Sequence, residues 1–291
     1  MQRLTYLLVY PIILLISILP FWLFYWFSNG VYILVYYIIG YRKKVVHSNL
    51  KLAFPKKSEK EIKTITKQFY KHMCDMFLEM TKSISISNTE LKKRFVIKNP
   101  EELQRLEKQN KTVIVMFGHY ASYEWSCVTE NYISFKGFGV YKKIKNPYFD
   151  KLVQRIRRKY NTTLITSKET ISTITENEAN GIKGVIAFIS DQSPKSVSKK
   201  HHWTSFFDIK VPCYTGAEIL AKNLDLAITY LKIEKVKRGH YEAEFIPLAD
   251  DAKAFNDYEI TDKFHQILEA QIRKAPQYYL WTHKRWKHRI K

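Results

Sequence analysis

Cysteine is scarce in this sequence of 291 residues, and several common catalytic motifs are missing from it. The three cysteines, Cys74, Cys127 and Cys213, are far apart and odd in number, which argues against a disulfide framework and favours a reducing compartment. The H-E-x-x-H pattern of zinc hydrolases and the G-x-S-x-G turn of serine hydrolases are both absent. We therefore predict no metal site and no serine nucleophile supplied by the protein.

Acidic residues are in the minority. Lysine and arginine number 48 against 27 aspartates and glutamates, a formal charge of +21. This excess indicates negatively charged partners, which are nucleic acid, an anionic lipid surface or an acidic protein. No repeat, low-complexity tract or long linker interrupts the chain. Its 46% of hydrophobic residues can fill the core of one large domain or two small ones.

Charge is absent from Leu4 to Phe27, a run of 24 residues. As a helix at about 1.5 Å per residue this run would be roughly 36 Å long, enough for a hydrocarbon core of about 30 Å. Pro11 and Pro20 would bend such a helix, which membrane helices tolerate. A cleaved signal peptide is the alternative, but only Arg3 precedes the run and no small-residue cleavage site follows it. We predict a membrane anchor.

A second uncharged run, Val31 to Tyr41, would reach only about 16 Å as a helix and is too short to span a membrane. Its tyrosines suit the headgroup region, where it could lie flat or form the return arm of a hairpin. The cluster Arg42–Lys44 follows, and the positive-inside rule keeps such a cluster in the cytoplasm. We therefore predict an anchor and interfacial segment over residues 1–44 and a cytoplasmic domain over residues 45–291.

Hydrophobic spacing predicts an α/β fold for that domain. Ser58 and Glu61 form a capping-box pattern ahead of an amphipathic helix, expected to pack on the core, with a membrane-surface helix as the alternative. Farther on, short apolar runs alternate with longer segments of helical spacing. The runs are Val113–Phe117, Val185–Ile189 and Leu226–Ile233. Strands buried on both faces and separated by helices indicate a mainly parallel central sheet flanked by helices.

A histidine and a glutamate follow the first of these strands. Five steps apart on a regular helix, His119 and Glu124 would point roughly 140° away from each other. They can meet only if the backbone changes course, and Gly118 followed by a helix that starts near Tyr123, with Ser122 as its N-cap, provides such a change. Ligands of α/β sheets bind at the carboxyl ends of strands, where His119 would lie.

This pair has the residue types of a general base and its orienting group. A histidine near its ordinary pKa can take a proton from a hydroxyl, and a carboxylate on its other ring nitrogen fixes the tautomer. Because no serine nucleophile is present, the substrate would supply the attacking hydroxyl. The alternative is an ordinary turn, since a bare H-x4-E spacing often arises by chance.

The surrounding sequence resembles the lipid A biosynthesis acyltransferases, relatives of the glycerolipid acyltransferases. "FGHYASYEW" is similar to their H-x4-[DE] block, and four further blocks follow in the same order over nearly the whole chain. These are "VYKKIKNPYFD", "DQSP", "TSFFDIKVPCYTGAEILAKNLDLAI" and the closing "APQYYLWTHKRWK". The match departs from the family at three positions, where Lys142 stands for an arginine and Asn161 and Asp208 stand for glycines.

The resemblance implies acyl transfer from an acyl carrier protein to a hydroxyl of a lipid A precursor, on the cytoplasmic face of the bacterial inner membrane. It implies a glycerolipid-acyltransferase-like fold, His119 as general base and Glu124 as its orienting partner. The acyl thioester would be a co-substrate, and no cofactor is implied. Backbone N–H groups near Tyr120–Ser122 are candidates for an oxyanion site. Because of Lys142 the acceptor stays open, with a lysophospholipid or an acylated amino-acid lipid as the alternative.

The later blocks supply candidates for substrate binding, namely Lys142, Lys145, Asn146, Arg158, Asp191 and Gln192. The lysines could hold acceptor phosphates or the carrier's phosphopantetheine, or could form only a solvated loop. Asp191 could bond the substrate or brace its turn. Arg158 belongs to a basic stripe with Arg155 and Arg157, which could dock an acidic carrier or be a solvated face.

The C-terminal segment interleaves Trp281 and Trp286 with cations, which are Lys284, Arg285, Lys287, Arg289 and Lys291. This composition suits a membrane interface with anionic lipid. It also suits single-stranded nucleic acid, bound by stacking and phosphate contacts. A membrane-tethered nucleic-acid-binding protein would leave the His119 turn without a purpose, so we predict no nucleic-acid partner. Absence of saturable nucleic-acid binding at moderate salt would exclude that class.

Overall fold

A computed structural model describes residues 1–198 and 201–290, and within that part of the chain there are nine strands and ten α-helices. The strands are β1 (Phe95–Ile97), β2 (Val113–Phe117), β3 (Lys136–Tyr141), β4 (Thr162–Thr166), β5 (Gly184–Ile189), β6 (Trp203–Phe206), β7 (Ile209–Pro212), β8 (Ala227–Lys237) and β9 (His240–Ala249). The helices are α1 (Gln2–Ile18), α2 (Phe21–Ile33), α3 (Lys43–Ala53), α4 (Glu59–Lys82), α5 (Asn88–Arg94), α6 (Glu101–Lys108), α7 (Pro147–Arg158), α8 (Thr170–Ala179), α9 (Gly216–Leu224) and α10 (Glu259–Lys274).

Seven strands form one sheet in the order β1-β9-β8-β2-β5-β3-β4, and β6 and β7 form a separate hairpin. All neighbours in the large sheet pair in parallel except β8 and β9, which are antiparallel. All five residues of the central strand β2 are buried, because helices cover both faces of the sheet. The prediction of a mainly parallel α/β fold is therefore confirmed, and β2 has the predicted bounds.

The two positions where glycine was expected adopt the left-handed backbone region. Asn161 has φ 62° between α7 and β4, and Asp208 has φ 59°. Phe207 (φ 56°) and Asp208 form the two-residue turn of the β6–β7 hairpin, whose type requires positive φ at both positions. Asparagine and aspartate are the residues other than glycine that adopt this region most readily. The departures from the family pattern thus preserve the backbone.

The N-terminal apolar run does not form one helix, which corrects the prediction of a continuous Leu4–Phe27 anchor. Leu19 has an extended ψ of 140°, as expected for a residue before proline, and this separates α1 from α2 at Pro20. The second helix continues through a π-helical turn, so the segment expected to lie apart as an interfacial element extends it. Among the described residues, Phe21–Ile39 is the one helix long and apolar enough to cross a membrane, judged by length and composition alone.

Helix α2 packs along α4 through buried polar contacts. The Tyr25 hydroxyl donates to Glu79 Oε1 (2.9 Å), and the Ser28 hydroxyl donates to Asp75 Oδ1 (2.7 Å). Glu79 also accepts from the hydroxyls of Ser122 (3.2 Å) and Tyr241 (2.8 Å). The predicted capping box at the start of α4 is present, with the Ser58 hydroxyl and the Glu61 carboxylate bonding each other's backbone N–H groups.

The C-terminal segment folds into the core rather than along its surface. Trp281 and Trp286 are each 1% exposed and stack on one another at 6.2 Å between ring centroids. Their burial contradicts the prediction that they lie at a membrane interface. Arg285 is buried as well, while the lysines at 284 and 287 sit beside a small surface groove. The predicted Lys291 lies outside the described residues.

Candidate active site

His119 lies two residues beyond the carboxyl end of β2, in a turn fastened to the C-terminal segment. The turn reverses through Ala121, whose φ is 50°. The Ala121 N–H donates to the Tyr278 carbonyl (2.9 Å), and the Leu280 N–H donates to the His119 carbonyl (3.0 Å). Gly118 admits α10 at close range, because a Cβ there would lie 2.8 Å from the Leu268 side chain. The predicted change of course after β2 is therefore confirmed.

The carboxylate partner of His119 is Asp191. Its Oδ1 lies 2.7 Å from His119 Nδ1, and the two side chains are 2% and 18% exposed respectively. The two residues are brought together because β2 pairs in parallel with β5, with Phe117 opposite Ile189, so both residues leave the same edge of the sheet. This contact occupies Nδ1, so His119 Nε2 is the ring nitrogen left for a substrate, with the Gln192 amide beside it. Asp191 was predicted only to bind substrate or brace its turn.

Glu124 does not make the predicted orienting contact with His119. Its Oε2 accepts from Arg157 Nη2 at 2.8 Å, across to the last turn of α7. The reason is local: Tyr123–Asn131 is a 3-10 helix, and the Tyr123 ring packs edge-on against the imidazole at 4.9 Å. Ser122 also makes no cap to that helix, because its hydroxyl donates to Glu79. Glu124 remains close enough for its charge to act on His119.

Burial and charge oppose each other at this pair. Burial lowers the pKa of His119, but the Asp191 carboxylate and the charge of Glu124 more than offset it, so the pKa lies above its ordinary value. For Asp191 burial acts in the opposite direction and raises the pKa. The imidazole of His119 and the guanidinium of Arg285 outweigh burial, so the pKa of Asp191 lies below its ordinary value. The pair is therefore an ionised carboxylate holding a basic imidazole.

The loop after Asp191 is held by the C-terminal segment. The Ser193 N–H donates to His283 Nε2 at 3.2 Å, and its hydroxyl donates to the Arg285 carbonyl. The Arg285 guanidinium donates to the Ser193 hydroxyl and to the Pro212 carbonyl, both at 3.1 Å. Burial lowers the pKa of His283 to about 4, which keeps it neutral and able to accept. The closing sequence block thus positions Asp191.

The other predicted substrate-binding residues are distributed unevenly around the site. Gln192 is beside the imidazole, with its amide nitrogen 3.3 Å from His119 Nε2. Lys142 and Lys145 are exposed in the loop between β3 and α7. Asn146 caps α7, accepting from the Tyr148 N–H (3.0 Å), and it also donates to the carbonyl of Gln2 in α1. Arg158 is exposed on the same helix whose Arg157 binds Glu124.

Two of the three backbone N–H groups proposed for the oxyanion site already have partners. The Tyr120 N–H donates to the Gly118 carbonyl (2.7 Å), and the Ala121 N–H donates to Tyr278. The third group, the Ser122 N–H, has no hydrogen-bond acceptor among the residues that the structure describes. Arg157 therefore becomes a second candidate for the stabilisation of an oxyanion, since its guanidinium pairs with Glu124 and lines the same cavity.

A cavity of about 520 Å³ extends from this edge across the face of the sheet. Tyr123, which packs on His119, and the Glu124–Arg157 ion pair line part of it, and the rest of its wall is mostly apolar. Among the apolar residues are Ile13, Phe77, Met80, Phe117, Phe138 and Leu152. Helix α1 covers it, with the Tyr6 ring stacked on Tyr148 (5.6 Å). A long hydrocarbon chain fits such a space, and a nearby base can act on a group held at its opening.

The roles of Arg157 and Arg285 and the cavity itself were not predicted from the sequence. Arg157 was one of several cations on a helix, and only the pairing with Glu124 distinguishes it from Arg158. The cavity combines residues from α1, α4, β2, β3 and α7, which are far apart in the sequence. The block "DQSP" directly after β5 was the available signal for Asp191, because the carboxyl ends of parallel strands lie at one edge of a sheet.

Comparison with known proteins gives one family. The family model described as bacterial lipid A biosynthesis acyltransferase matches residues 1–288. The lipid A biosynthesis lauroyltransferase of Escherichia coli (strain K12) is 21% identical over 281 residues, covering 93% of this chain and 87% of that protein. The palmitoleoyltransferase of the same organism is 21% identical over 264 residues (85% and 79%), and a lipid A biosynthesis acyltransferase of Haemophilus influenzae is 23% identical over 259 residues (85% and 78%).

Proposed function

The chain belongs to the bacterial lipid A biosynthesis acyltransferases, and from this premise we propose that it moves a fatty acyl chain from an acyl carrier protein thioester to a hydroxyl group of a lipid A precursor. Membership supports an acyltransferase of lipid A biosynthesis. The observation that carries the finer proposal is the His119–Asp191 pair, which packs beside Tyr123, a residue that lines a cavity suited to a hydrocarbon chain.

In the proposed reaction, His119 Nε2 takes the proton of the acceptor hydroxyl as its oxygen attacks the thioester carbonyl carbon. Asp191 holds the Nδ1–H and stabilises the imidazolium that forms. The tetrahedral intermediate then collapses, the carbon–sulfur bond breaks, and the imidazolium returns its proton to the departing thiolate. The products are an ester and the free thiol of the carrier. The acyl thioester is a co-substrate, and the proposal includes no cofactor.

Glu124 has a different role in this proposal from the one predicted from sequence. Its ion pair holds the Arg157 guanidinium on the cavity wall, and Glu124 itself is next along the chain to Tyr123, which packs on the imidazole of His119. There the guanidinium and the Ser122 N–H can stabilise negative charge on the thioester oxygen. Glu124 therefore acts as a positioning residue for Arg157, while its charge favours the protonated form of His119.

The proposed partners follow from the charge around the site. Lys142 and Lys145 project from the loop at the carboxyl edge, where they can neutralise phosphates of the acceptor. Arg155 and Arg158 are exposed near the end of α7 and offer a basic face to an acidic carrier protein. Because lysine lacks the bidentate grip of arginine, another hydroxylated lipid, such as a lysophospholipid or an acylated amino-acid lipid, is the second candidate acceptor.

We place the enzyme at the bacterial inner membrane, with the domain on its cytoplasmic face. The apolar stretch Phe21–Ile39 and the exposed apolar side chains of α1 supply surface for lipid contact. The cations Arg42–Lys44 follow directly and favour the cytoplasmic side and anionic lipid.

The test is an assay in reconstituted membranes. Acyl carrier protein thioesters and a tetra-acylated lipid A precursor are supplied, and products are identified by mass spectrometry. Wild type should add one acyl chain, and His119→Ala should lose at least about 100-fold in rate, the range for a missing general base. His47→Ala is the matched control, because that histidine is exposed and Glu59 is its one ion-pair partner among the described residues.

The outcomes separate chemistry from acceptor identity. Transfer by wild type that His119→Ala also performs at full rate contradicts the proposed base. Transfer to a lysophospholipid or an acylated amino-acid lipid but not to the lipid A precursor assigns the second acceptor class.

A further inference from the structure

The far end of the cavity is polar, unlike its walls. Gly137 in β3 pairs with Thr162 and Val185, the residues at the beginning of β4 and β5, whereas His119 follows the opposite ends of the strands. From Val185 to Ile189 the strand rises about 13 Å at roughly 3.3 Å per residue. Glu130 and Thr162 line the cavity beside Gly137, and Thr129 and Tyr160, which are one and two residues from them along the chain, line it as well.

Three of these side chains have polar groups in need of a partner. The Thr129 and Tyr160 hydroxyls are buried, and neither has a hydrogen-bond partner among the described residues. The Glu130 carboxylate accepts from the Thr162 hydroxyl at 3.1 Å, and none of the described basic side chains pairs with it. Burial raises the pKa of Glu130 to about 7, against the opposing hydrogen bond from Thr162.

The carboxyl group of Glu130 lies directly against strand β3 at Gly137. A Cβ at that position would lie 1.7 Å from Glu130 Oε1, so the absence of a side chain is what admits the carboxyl group against the strand. Buried polar groups of this kind are satisfied by ligand or by ordered water. A methyl terminus that displaced such water would leave them unsatisfied.

We propose that Thr129, Glu130 and Tyr160 form a polar end wall that sets the length of the acyl chain, with Glu130 as the specificity-determining residue. The inference rests on the proposed function, since it assigns the cavity to the acyl chain of the donor. Each methylene buried in the apolar part adds about fourfold in affinity. Each buried polar group deprived of its partner removes roughly five- to 150-fold. The gain with length therefore stops where the polar wall begins.

The first experiment measures binding without any acyl acceptor. Saturated fatty acids of increasing length displace a fluorescent fatty acid from the full chain in lipid nanodiscs. Partition of each fatty acid into the bilayer is the same for every variant, so differences between variants report the cavity. Referred to the free aqueous concentration of each fatty acid, wild-type affinity should rise about fourfold per methylene and then stop rising at one length.

Variants that remove polarity at nearly constant size should move that limit. Glu130→Leu, and the milder Tyr160→Phe and Thr129→Val, should let affinity rise by about fourfold for at least one further methylene. Glu130→Gln keeps a polar group of the same size and should keep the wild-type limit. Thermal unfolding identifies any variant that fails to fold, and the two near-isosteric hydroxyl removals still test the wall if Glu130→Leu does not fold.

The results distinguish this inference from the proposed function. An unchanged limit in all folded apolar variants, or the same shift in Glu130→Gln as in Glu130→Leu, overturns the polar wall. A second assay then transfers acyl chains from a mixture of donors to the lipid A precursor. A shifted binding limit with no transfer by wild type would leave the wall standing and contradict the proposed function, whereas transfer with an unchanged product distribution in the shifted variants would contradict the wall as a determinant of length.

Discussion

The clearest prediction concerns which carboxylate, Asp191 or Glu124, supports His119 in catalysis. Asp191 and Glu124 both act on His119 electrostatically, but only Asp191 reaches a ring nitrogen, at 2.7 Å from Nδ1. Replacing Asp191 by asparagine preserves shape and removes the charge. Glu124→Gln is the matched change at the other carboxylate, where the ion pair with Arg157 is broken instead.

The size of the effect follows from the contact. A hydrogen bond to a charged group contributes about 1.5–3 kcal/mol, and losing that much stabilisation of the imidazolium lowers kcat by about 10- to 150-fold. The introduced asparagine could also present its amide N–H to the ring and select the wrong tautomer, which extends the loss towards roughly 10⁴-fold. For Glu124→Gln we expect a loss of no more than about tenfold, because His119 keeps its tautomer and its buried partner and the introduced amide oxygen can still accept from Arg157.

The pH profile adds a readout that a merely structural defect would not produce. A general base must be neutral, so activity rises with pH through the pKa of His119. In wild type that pKa lies above 6.5, because Asp191 outweighs burial. In Asp191→Asn burial is unopposed by that charge, so the acid limb of kcat/KM should move to lower pH. Glu124→Gln should move it in the same direction but less.

The assay is initial rates of acyl transfer in reconstituted membranes over a range of pH. The reasoning is refuted if Asp191→Asn retains the rate and acid limb of wild type while Glu124→Gln loses both. That pattern would mean that Glu124 reaches the imidazole when substrate is bound.

Three further predictions concern stability. Trp286→Ala should lower the free energy of unfolding by about 3–5 kcal/mol without weakening vesicle binding. The control Lys287→Ala should change the free energy of unfolding by less than about 0.5 kcal/mol. If Trp286→Ala lost vesicle binding and kept its stability, Trp286 would lie at the membrane interface instead. Burial raises the pKa of Glu79, so the folded state binds more protons above the unfolded value of 4.5 and its stability declines as pH rises towards the folded pKa. Glu79→Gln should lack this decline, so its deficit against wild type should shrink with pH in thermal unfolding scans, and a constant deficit would contradict the assignment. Asn161→Ala should lower the unfolding free energy by about 1 kcal/mol, because of the left-handed backbone, while Asn161→Gly should be nearly neutral; equal effects would argue against backbone strain.

The position of His119 could be predicted from the sequence because the signals were local. Five apolar residues, a glycine and then polar side chains describe a buried strand that ends at a turn, and the structure has β2 with the predicted bounds. The partner of His119 could not be read in the same way, since Asp191 is 72 residues away. Only the parallel register of β2 and β5 brings the two together.

Other misses arose because one pattern fits two environments. Alternating tryptophans and cations suit both a headgroup layer and a core with a buried arginine, and composition cannot distinguish them. Trp281 and Trp286 stack in the core because Phe206 and Phe207 provide aromatic neighbours from a distant hairpin. At the N-terminus the restriction imposed on Leu19 by Pro20 was present in the sequence, but tolerance of proline in membrane helices obscured its effect.

The buried carboxyl group of Glu79 makes the apolar helix α2 a structural member of the enzyme. It is shared by Tyr25 of α2, Tyr241 of β9 and Ser122 of the turn that carries His119. A chain shortened to start after Tyr41, in order to gain solubility, would expose the Glu79 carboxyl group to solvent. It would also loosen the turn that carries His119. We therefore expect a chain truncated in this way to lose activity. Preparations for crystallisation or screening should keep the first helices, with lipid or detergent around them.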